Sequence, residues 1–126
     1  MSGAEITSFK DLDVWQLAMT LAVDCYKLTE SFPRHEQYGM TSQIRRASVS
    51  VPANIAEGYG RNQTGMYLQF LRIGLGSVRE LETLLLLSER VGLAASAALQ
   101  PVLDRAIRVS KMLSALIRSI EKSNST

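Results

Sequence analysis

The side chains that could carry out chemistry in this chain are few and lie far apart. His35 is the only histidine and Cys25 the only cysteine in 126 residues. Hydrolases and transferases need a nucleophile beside a base, paired carboxylates or a metal. His35 lies in a polar turn and is expected to be solvated, while Cys25 lies in an apolar helical pattern that favours burial over reactivity. The sequence therefore predicts a protein that is not an enzyme, with no cofactor, no metal site and no internal disulfide.

The stretch Gly58-Tyr59-Gly60 matches half of a phosphate-binding glycine pattern. It follows a predicted helix instead of a strand, however, and no lysine completes a P-loop. We interpret both glycines as the end of that helix. Glu57 lies in the last turn, where the helix dipole is negative, so an arginine is expected within ion-pair distance of it. The candidates are Arg45, Arg46, Arg61 and Arg72.

The basic residues are concentrated in two parts of the chain. The formal net charge is only +2, but residues 34–79 carry +4 and residues 102–126 carry +3. In the second of these segments, four cations fall within about 80° of one another on a helix, opposite its apolar face. This stripe is either a solvated surface or a surface that binds a polyanion. Its members are Arg108, Lys111, Arg118 and Lys122.

Apolar residues recur every three or four positions along most of the chain, which is the helical pattern. The predicted fold class is all-α, an up-down-up-down four-helix bundle in which residues 1–126 form one domain. The predicted helices span about 11–31, 41–58, 64–91 and 98–120. The side chains expected to cap the helix starts are Asp11 or Asp13, Thr41 or Ser42, and Thr64.

One short segment, Ser48-Val49-Ser50-Val51, alternates like a strand. Apolar residues on both sides follow helical spacing, and no second alternating run exists to pair with it, so we interpret it as helix. Pro52 then lies inside this helix, where it cannot donate to the Ser48 carbonyl, and a kink is predicted. We expect that carbonyl to accept a hydrogen bond from a serine hydroxyl or from a neighbouring helix.

Two helices carry more apolar surface than a lone bundle needs. At about 100° per residue, Leu84 to Leu87 point in four directions, so one core-facing stripe cannot cover them. The apolar residues of the fourth helix span roughly 220° of its circumference. We therefore expect self-association. Gly74, Gly76 and Ser77 weaken the third helix, which predicts that a neighbouring backbone approaches closely there.

The N-terminal residues "MSGAEITSFKDLD" contain no cationic start followed by an apolar run. No stretch of the chain approaches 18 consecutive apolar residues. A single cysteine suits a reducing compartment. We expect a cytoplasmic protein that has no contact with membranes.

Three blocks and the closing helix carry a resemblance to a known family. The blocks "FKDLDVWQLA", "YGMTSQIRRASVSVPANIAEGYGR" and "YLQFLRIGLGSVRELETLL" resemble the four-helix bundle proteins encoded within intervening sequences of bacterial large-subunit ribosomal RNA genes. The similarity covers Phe9 to Ile120. That family in turn resembles the accessory variability protein of diversity-generating retroelements, a basic barrel that binds nucleic acid and its reverse transcriptase.

The resemblance implies a homopentameric barrel. In such an assembly, the extra leucines of the third helix and the second apolar face of the fourth would become subunit interfaces. The resemblance also implies nucleic-acid binding, without a catalytic role for the matched residues. Together with the basic stripe, it indicates these contacts to nucleic acid: Arg45, Arg46, Arg61, Arg108, Lys111, Arg118 and Lys122. Structural roles are expected for Pro52, Asn54, Glu57 and Gly58.

The sequence thus predicts a non-enzymatic, homo-oligomeric scaffold that binds the backbone of RNA or DNA without reading bases. The alternative is a protein–protein assembly module with no nucleic-acid ligand, in which the basic residues serve solubility and subunit contacts. The expected partners are further copies of the chain, RNA or DNA, and another protein.

Overall fold

The computed structural model describes residues 5–124, and within that range it contains four α-helices and no β-strand. The all-α class predicted from the sequence is therefore confirmed. The predicted helix bounds agree with the structure to within a few residues, and the largest difference is the last helix, which extends further than predicted at both ends. The helices are α1 (Asp13–Thr29), α2 (Met40–Tyr59), α3 (Thr64–Arg90) and α4 (Ser96–Asn124), with short 3-10 helices at Phe9–Asp11 and Arg34–Glu36.

Each helix packs on two neighbours, so that the four form a ring. α1 lies against α2 and α4, and α3 lies against the same two helices. The diagonal pairs, α1 with α3 and α2 with α4, make no close backbone approach within residues 5–124. Short connections join consecutive helices, which run antiparallel in an up-down-up-down bundle.

The core fills the centre of the ring. Leu21 of α1, Ile44 of α2, Leu71 of α3 and Leu113 of α4 are fully buried. Each such side chain contributes about 1.5–3 kcal/mol through removal of apolar surface from water. Buried hydroxyls donate to carbonyls of their own helices: Thr29 to Cys25, Ser48 to Arg45 and Ser88 to Leu84.

None of the helices within residues 5–124 combines the length and the apolar character that a membrane span requires.

The sequence predicted an aspartate cap at the start of α1, and this prediction is wrong. Asp11 lies in the 3-10 helix before α1, where its carboxylate accepts hydrogen bonds from the amides of Thr7 and Ser8. The Thr7 hydroxyl donates to the same carboxylate. The two bonds from Thr7, followed by the bond from Ser8, hold the pKa of Asp11 below its usual value. The residue that precedes α1 is Leu12, which has no side-chain acceptor, and Asp13 is the first helical residue. The aspartate therefore stabilises the preceding turn rather than the helix itself.

The starts of α2 and α3 also differ from the prediction. α2 begins at Met40, whose amide donates to Oε1 of Glu36 at 2.9 Å. Thr41 and Ser42 consequently lie inside the first turn and do not cap it. Thr64 is the first residue of α3 rather than its cap. The predicted hydroxyl caps are thus wrong, because a glutamate from the preceding turn has taken one of these roles.

Gly58 does not end α2, contrary to the prediction, since the helix continues to Tyr59. Gly58 is buried where α2 packs on α3. A Cβ at this position would lie 2.7 Å from Cβ of Phe70 and 3.1 Å from Cδ1 of Tyr67. Gly60 follows the helix with φ of −75°, which any residue can adopt. Close helix packing, and not a left-handed turn, explains the glycine at position 58.

The predicted approach of a neighbouring backbone to α3 is found only at Gly74. This residue is buried, and a Cβ there would lie 3.7 Å from the Val51 carbonyl oxygen, an ordinary contact that does not require glycine. At Ser77 the contact is between side chains. The Ser77 hydroxyl lies 2.8 Å from the Ser50 hydroxyl of α2. Gly76 faces outward, and nothing lies within 4 Å of a Cβ placed there, so the prediction is wrong at that position.

α2 continues across the buried Pro52. The amide nitrogen of the Asn54 side chain donates to the carbonyl of Ser50 at 2.8 Å and to its hydroxyl at 3.0 Å. The Ser48 hydroxyl donates to the carbonyl of Arg45 at 2.9 Å. The sequence predicted that a serine hydroxyl would donate to the Ser48 carbonyl. Neither the Ser48 hydroxyl nor the Ser50 hydroxyl does so. Asn54 instead supports the backbone beside the proline.

The wide apolar surface of α4 is covered within a single chain. Ile107, Met112 and Leu116 flank the buried positions of α4 and pack against the core while partly exposed. They can do so because α4 lies between α1 and α3 and buries one flank against each. The two apolar faces predicted for this helix are thus real, but they provide no argument for a second subunit.

The extra apolar side chains of α3, unlike those of α4, are not all covered within one chain. Leu84 and Leu85 are buried, whereas Leu86 and Leu87 remain 42% and 44% exposed. With Thr83 and Arg90, these two leucines line a shallow groove on the outside of the bundle. The sequence-based argument for self-association therefore depends on α3 and not on α4.

Replacing Gly58→Ala is expected to destabilise the protein by about 1–3 kcal/mol, because the added methyl overlaps Cβ of Phe70. Gly76→Ala is the matched control, since it makes the same change on an open helix surface. The control is expected to stabilise by about 0.5–1 kcal/mol through helix propensity alone. Urea denaturation followed by circular dichroism measures both values, and equal stabilisation by the two variants would contradict the packing role of Gly58.

Cys25 is fully buried in α1, and this burial, helped by the neighbouring Asp24, raises the pKa of its thiol to about 12. The native thiol is expected to resist a disulfide reagent at pH 8 and to react only when urea unfolds the chain. The free energy of unfolding should also fall above about pH 9, because the unfolded chain then releases a proton that the folded chain retains. Fast stoichiometric labelling of the native protein would contradict this placement.

Candidate functional site

α4 exposes one narrow strip of its surface, because α1 and α3 cover its flanks. Four cations lie on this strip at spacings of three, seven and four residues, which keeps them on one side of a helix. At 1.5 Å per residue they extend over roughly 21 Å. We call these residues the α4 stripe; they are Arg108, Lys111, Arg118 and Lys122, and all four are exposed.

Ion pairs to the neighbouring helices lie on both sides of the α4 stripe. Arg105 pairs with Asp24 of α1, and Glu121 pairs with Arg72 of α3. Each pair joins α4 to a neighbour and neutralises a charge at the edge of the strip. Asp104 remains at the N-terminal end of the strip, one turn before its first cation.

Three members of the α4 stripe have no carboxylate partner. In the part of the chain that the structure describes, no carboxylate oxygen lies within 4 Å of a charged nitrogen of Arg108, Lys111 or Arg118. Arg108 shares a groove beside α1 with Asp13, whereas the other two lie further along the helix. The unbalanced positive charge is therefore centred on the second half of α4.

Arg45 of α2 lies against α1, away from the α4 stripe. Its Nε donates to the Thr29 hydroxyl at 2.8 Å, and its Nη2 donates to the Tyr26 carbonyl at 3.3 Å. The guanidinium also stacks on the Tyr26 ring, 4.6 Å from its centroid. These contacts place a cation at the negative C-terminal end of α1, where it interacts favourably with the helix dipole. Arg45 thus fastens α2 to α1.

Arg61 and Glu57 form an ion pair one helical turn apart. The prediction that an arginine compensates Glu57 is therefore confirmed, and Arg61 is that arginine. Its guanidinium also lies over the Phe70 ring, 5.1 Å from the centroid. Arg61 consequently ties the end of α2 to α3. Arg46 is exposed on α2, on the outward surface.

The structure separates the seven predicted contacts to nucleic acid into two groups. The α4 stripe forms one group, and the arginines at positions 45, 46 and 61 form the other, on or just after α2. α2 and α4 are diagonal in the bundle and make no close approach. Arg45 and Arg46 are thus separated from the α4 stripe by the width of the bundle, whereas Arg61 lies three residues before Thr64, which shares a groove with the last turns of α4.

The groups that could support catalysis are also separated. His35 is exposed in the connection between α1 and α2, and its Nε2 lies 3.9 Å from Oε2 of Glu36. Cys25 is buried in α1 with a raised pKa. Across residues 5–124, no three side chains of His, Cys, Asp or Glu come together in a way that could hold a metal ion. The described side chains can thus act on a ligand through charge and hydrogen bonding.

Sequence reasoning missed the two ion pairs at the edges of the α4 stripe, since it did not consider Arg105 and named Arg72 only as a possible partner of Glu57. Arg105 and Arg72 reach carboxylates 81 and 49 residues away in sequence. Local spacing carries no signal for such pairs, in contrast to the pair of Glu57 with Arg61, which follows the i,i+4 rule.

Comparisons with known proteins agree with this fold. A crystal structure of a protein of unknown function from the S23 ribosomal protein family of Bacteroides thetaiotaomicron VPI-5482 is similar, with a TM-score of 0.75 and 23% sequence identity over 82% of this chain and 97% of that chain. At this identity the likeness concerns the fold alone. No curated protein matches the chain. The sequence matches the family model of the 23S rRNA-intervening sequence protein over residues 10–115. Because this match spans most of the chain, the protein belongs to the 23S rRNA-intervening sequence protein family.

Proposed function

We propose that this protein is a non-enzymatic homo-oligomer that binds the phosphate backbone of RNA or DNA through the α4 stripe. The observation that carries the proposal is the exposed run of cations on α4, of which Arg108, Lys111 and Arg118 have no carboxylate within 4 Å among residues 5–124. Arginine and lysine neutralise phosphates and release counter-ions, which supplies affinity without sequence information.

The shape of the surface favours backbone contacts over base reading. A recognition helix that enters the major groove must expose much of its circumference, because the groove is about 12 Å wide. α4 is covered on both flanks by α1 and α3. Its cations can therefore touch phosphates at the rim of a groove, while the helix itself stays outside.

Self-association is supported by the apolar surface that one chain leaves uncovered. Leu86 and Leu87 are exposed on α3, next to Val91 in the following turn. Exposed apolar patches of this kind mark interfaces. We propose a homopentamer, the number that the family resemblance implies. Each added copy brings another α4 stripe, so the positive fields add. The family relation and the lone buried thiol of Cys25 suit a cytoplasmic location.

A protein–protein assembly module is the second candidate, and one observation favours it. Met19, Val23 and Tyr26 are exposed apolar side chains on α1, and Val49 is exposed on α2, one turn after Arg45, which contacts the Tyr26 ring. Apolar surface that stays exposed after oligomerisation would suit a protein partner. Under this alternative the α4 stripe is a solvated surface.

Reversing the charge of Arg108, Lys111 and Arg118 to Glu together is expected to abolish binding to RNA and DNA. The wild-type protein should lose affinity between about 50 and 200 mM salt, with a slope of log affinity against log salt of about −0.9 per phosphate on B-DNA. Gel-shift titrations at both salt concentrations measure the affinity and the slope.

The matched control combines Arg34→Glu and Arg46→Glu with Gln37→Glu and Gln43→Glu, which makes the same change in net charge on the α1–α2 side, at exposed positions of α2 and of the connection before it. It is expected to retain most of the affinity. Loss in this control alone would move the site to the α1–α2 side. No binding by the wild-type protein at the lower salt concentration would favour the assembly module.

Replacing Leu86→Asp together with Leu87→Asp is expected to dissociate the oligomer, because the charges would be buried without partners in the interface. Both side chains are partly exposed in one chain, so the bundle itself should keep its helical circular dichroism. Gln43→Asp with Gln69→Asp adds the same two charges at exposed polar positions as a control. Analytical ultracentrifugation measures the mass, and a wild-type mass of 13.9 kDa at micromolar concentration would refute self-association.

A further inference from the structure

A further cation lies beside the α4 stripe, on the neighbouring helix. Arg79 of α3 is seven residues after Arg72, so two helical turns place both on the same face. Arg72 shows where that face points, because it reaches across to Glu121 of α4. Arg79 is exposed and lies on the α4 side of α3. It is therefore directed toward the same outer surface as the α4 stripe.

The antiparallel register determines what Arg79 meets. Two turns along α3 from Arg72 correspond to two turns back along α4 from Glu121, which leads to Ser114. Where Arg72 meets a carboxylate, the position opposite Arg79 is thus the neutral Ser114, flanked by Lys111 and Arg118. The same register places the half-buried Glu82 of α3, three residues after Arg79, level with Lys111. Within residues 5–124, no carboxylate lies within 4 Å of the charged nitrogens of these three cations.

Arg79, Lys111 and Arg118 form what we call the cation triangle. The α4 members are separated by roughly 10 Å along the helix, at 1.5 Å per residue. Arg79 projects from an adjacent helix, and packed helix axes lie about 8–10 Å apart. Glu82 lies within 4 Å of none of the three charged groups, so their mutual repulsion is only partly offset. A polyanion that binds here relieves this repulsion, so the triangle is a more specific feature than a solvated helix face.

The surface around the triangle contains no stacking platform. α4 contains no aromatic residue, and neither does α3 after Phe70. Proteins that hold single strands combine a basic groove with aromatic side chains on which bases stack, at about 1–3 kcal/mol per base. A double helix keeps its bases stacked internally and presents phosphates at high density, one per about 1.7 Å of axis.

The spacing of the triangle also fits phosphates on two strands. Its edges of about 10 Å are comparable with the width of a duplex groove, which is about 12 Å for the major groove of B-DNA. Cations on two rigid helices can therefore contact both rims of one groove. A flexible single strand has no fixed second row of phosphates to match them.

Building on the proposed nucleic-acid binding, we infer that Arg79 completes the binding surface with Lys111 and Arg118, and that this surface takes double-helical nucleic acid in preference to single strands.

Fluorescence anisotropy with the full chain tests both parts. The probes are a labelled duplex of roughly 20 base pairs, about two turns, and one of its strands alone, chosen to lack self-complementarity, at about 50 mM salt. The duplex is expected to bind about tenfold more tightly than the strand. Arg79→Glu should weaken duplex binding about tenfold. It should also make the slope of log affinity against log salt less steep by about 0.9, the value for one phosphate contact, and Lys111→Glu should have the same effect.

Arg34→Glu is the matched control, because Arg34 is exposed in the 3-10 helix between α1 and α2, away from the α4 stripe and from the groove beside Leu86 and Leu87. It should leave duplex affinity within about twofold, and ultracentrifugation should show all variants in the wild-type oligomeric state. Equal or tighter binding of the single strand would overturn the duplex preference while the proposed function stands. Equal effects of Arg79→Glu and Arg34→Glu would overturn the role of Arg79. Failure of both probes to bind would overturn the proposed function and this inference together.

Discussion

The burial of α4 between α1 and α3 is the constraint on which the charge distribution of this protein depends. A helix with neighbours on two sides can bury a wide apolar surface, and α4 does so with Val102, Ala106, Val109 and Leu113 in the core. Charged side chains cannot follow them into the core without a large desolvation cost. They are therefore confined to the one strip that faces solvent, where cations separated in sequence become neighbours.

The ion pairs at the edges of this strip influence where net charge lies more than they influence stability. Exposed pairs such as Arg72 with Glu121 contribute about 0–1 kcal/mol at most. Their positions matter because Glu121 is engaged on the α3 side and Asp24 on the α1 side. The carboxylates that could have neutralised the middle of α4 are thus directed to the flanks. The cations between them remain available to an external anion.

α2 serves the bundle in a different way, although it carries the arginine pair that first suggests a ligand site. Arg45 is engaged with the last turn of α1, and Arg61 with Glu57 and the Phe70 ring. Gly58 allows α2 to pack closely on α3, where a methyl group would overlap Cβ of Phe70. The segment that looks most like a motif in the sequence is therefore largely occupied by contacts within the chain.

The sequence by itself determined the features that depend on local spacing. Periodicity predicted four helices and the α4 stripe, and the position of Glu57 in the last turn of its helix predicted an arginine partner, because both depend on helix geometry alone. The structure then selected Arg61 from four candidates. Tertiary structure alone decided the role of Gly58, the partner of Arg45 and the separation of α2 from α4. It also decided that α4 buries both apolar faces within the chain while Leu86 and Leu87 stay exposed. These outcomes depend on which helices become neighbours and in what register, and that choice is made by the packing of the whole core rather than by any single segment.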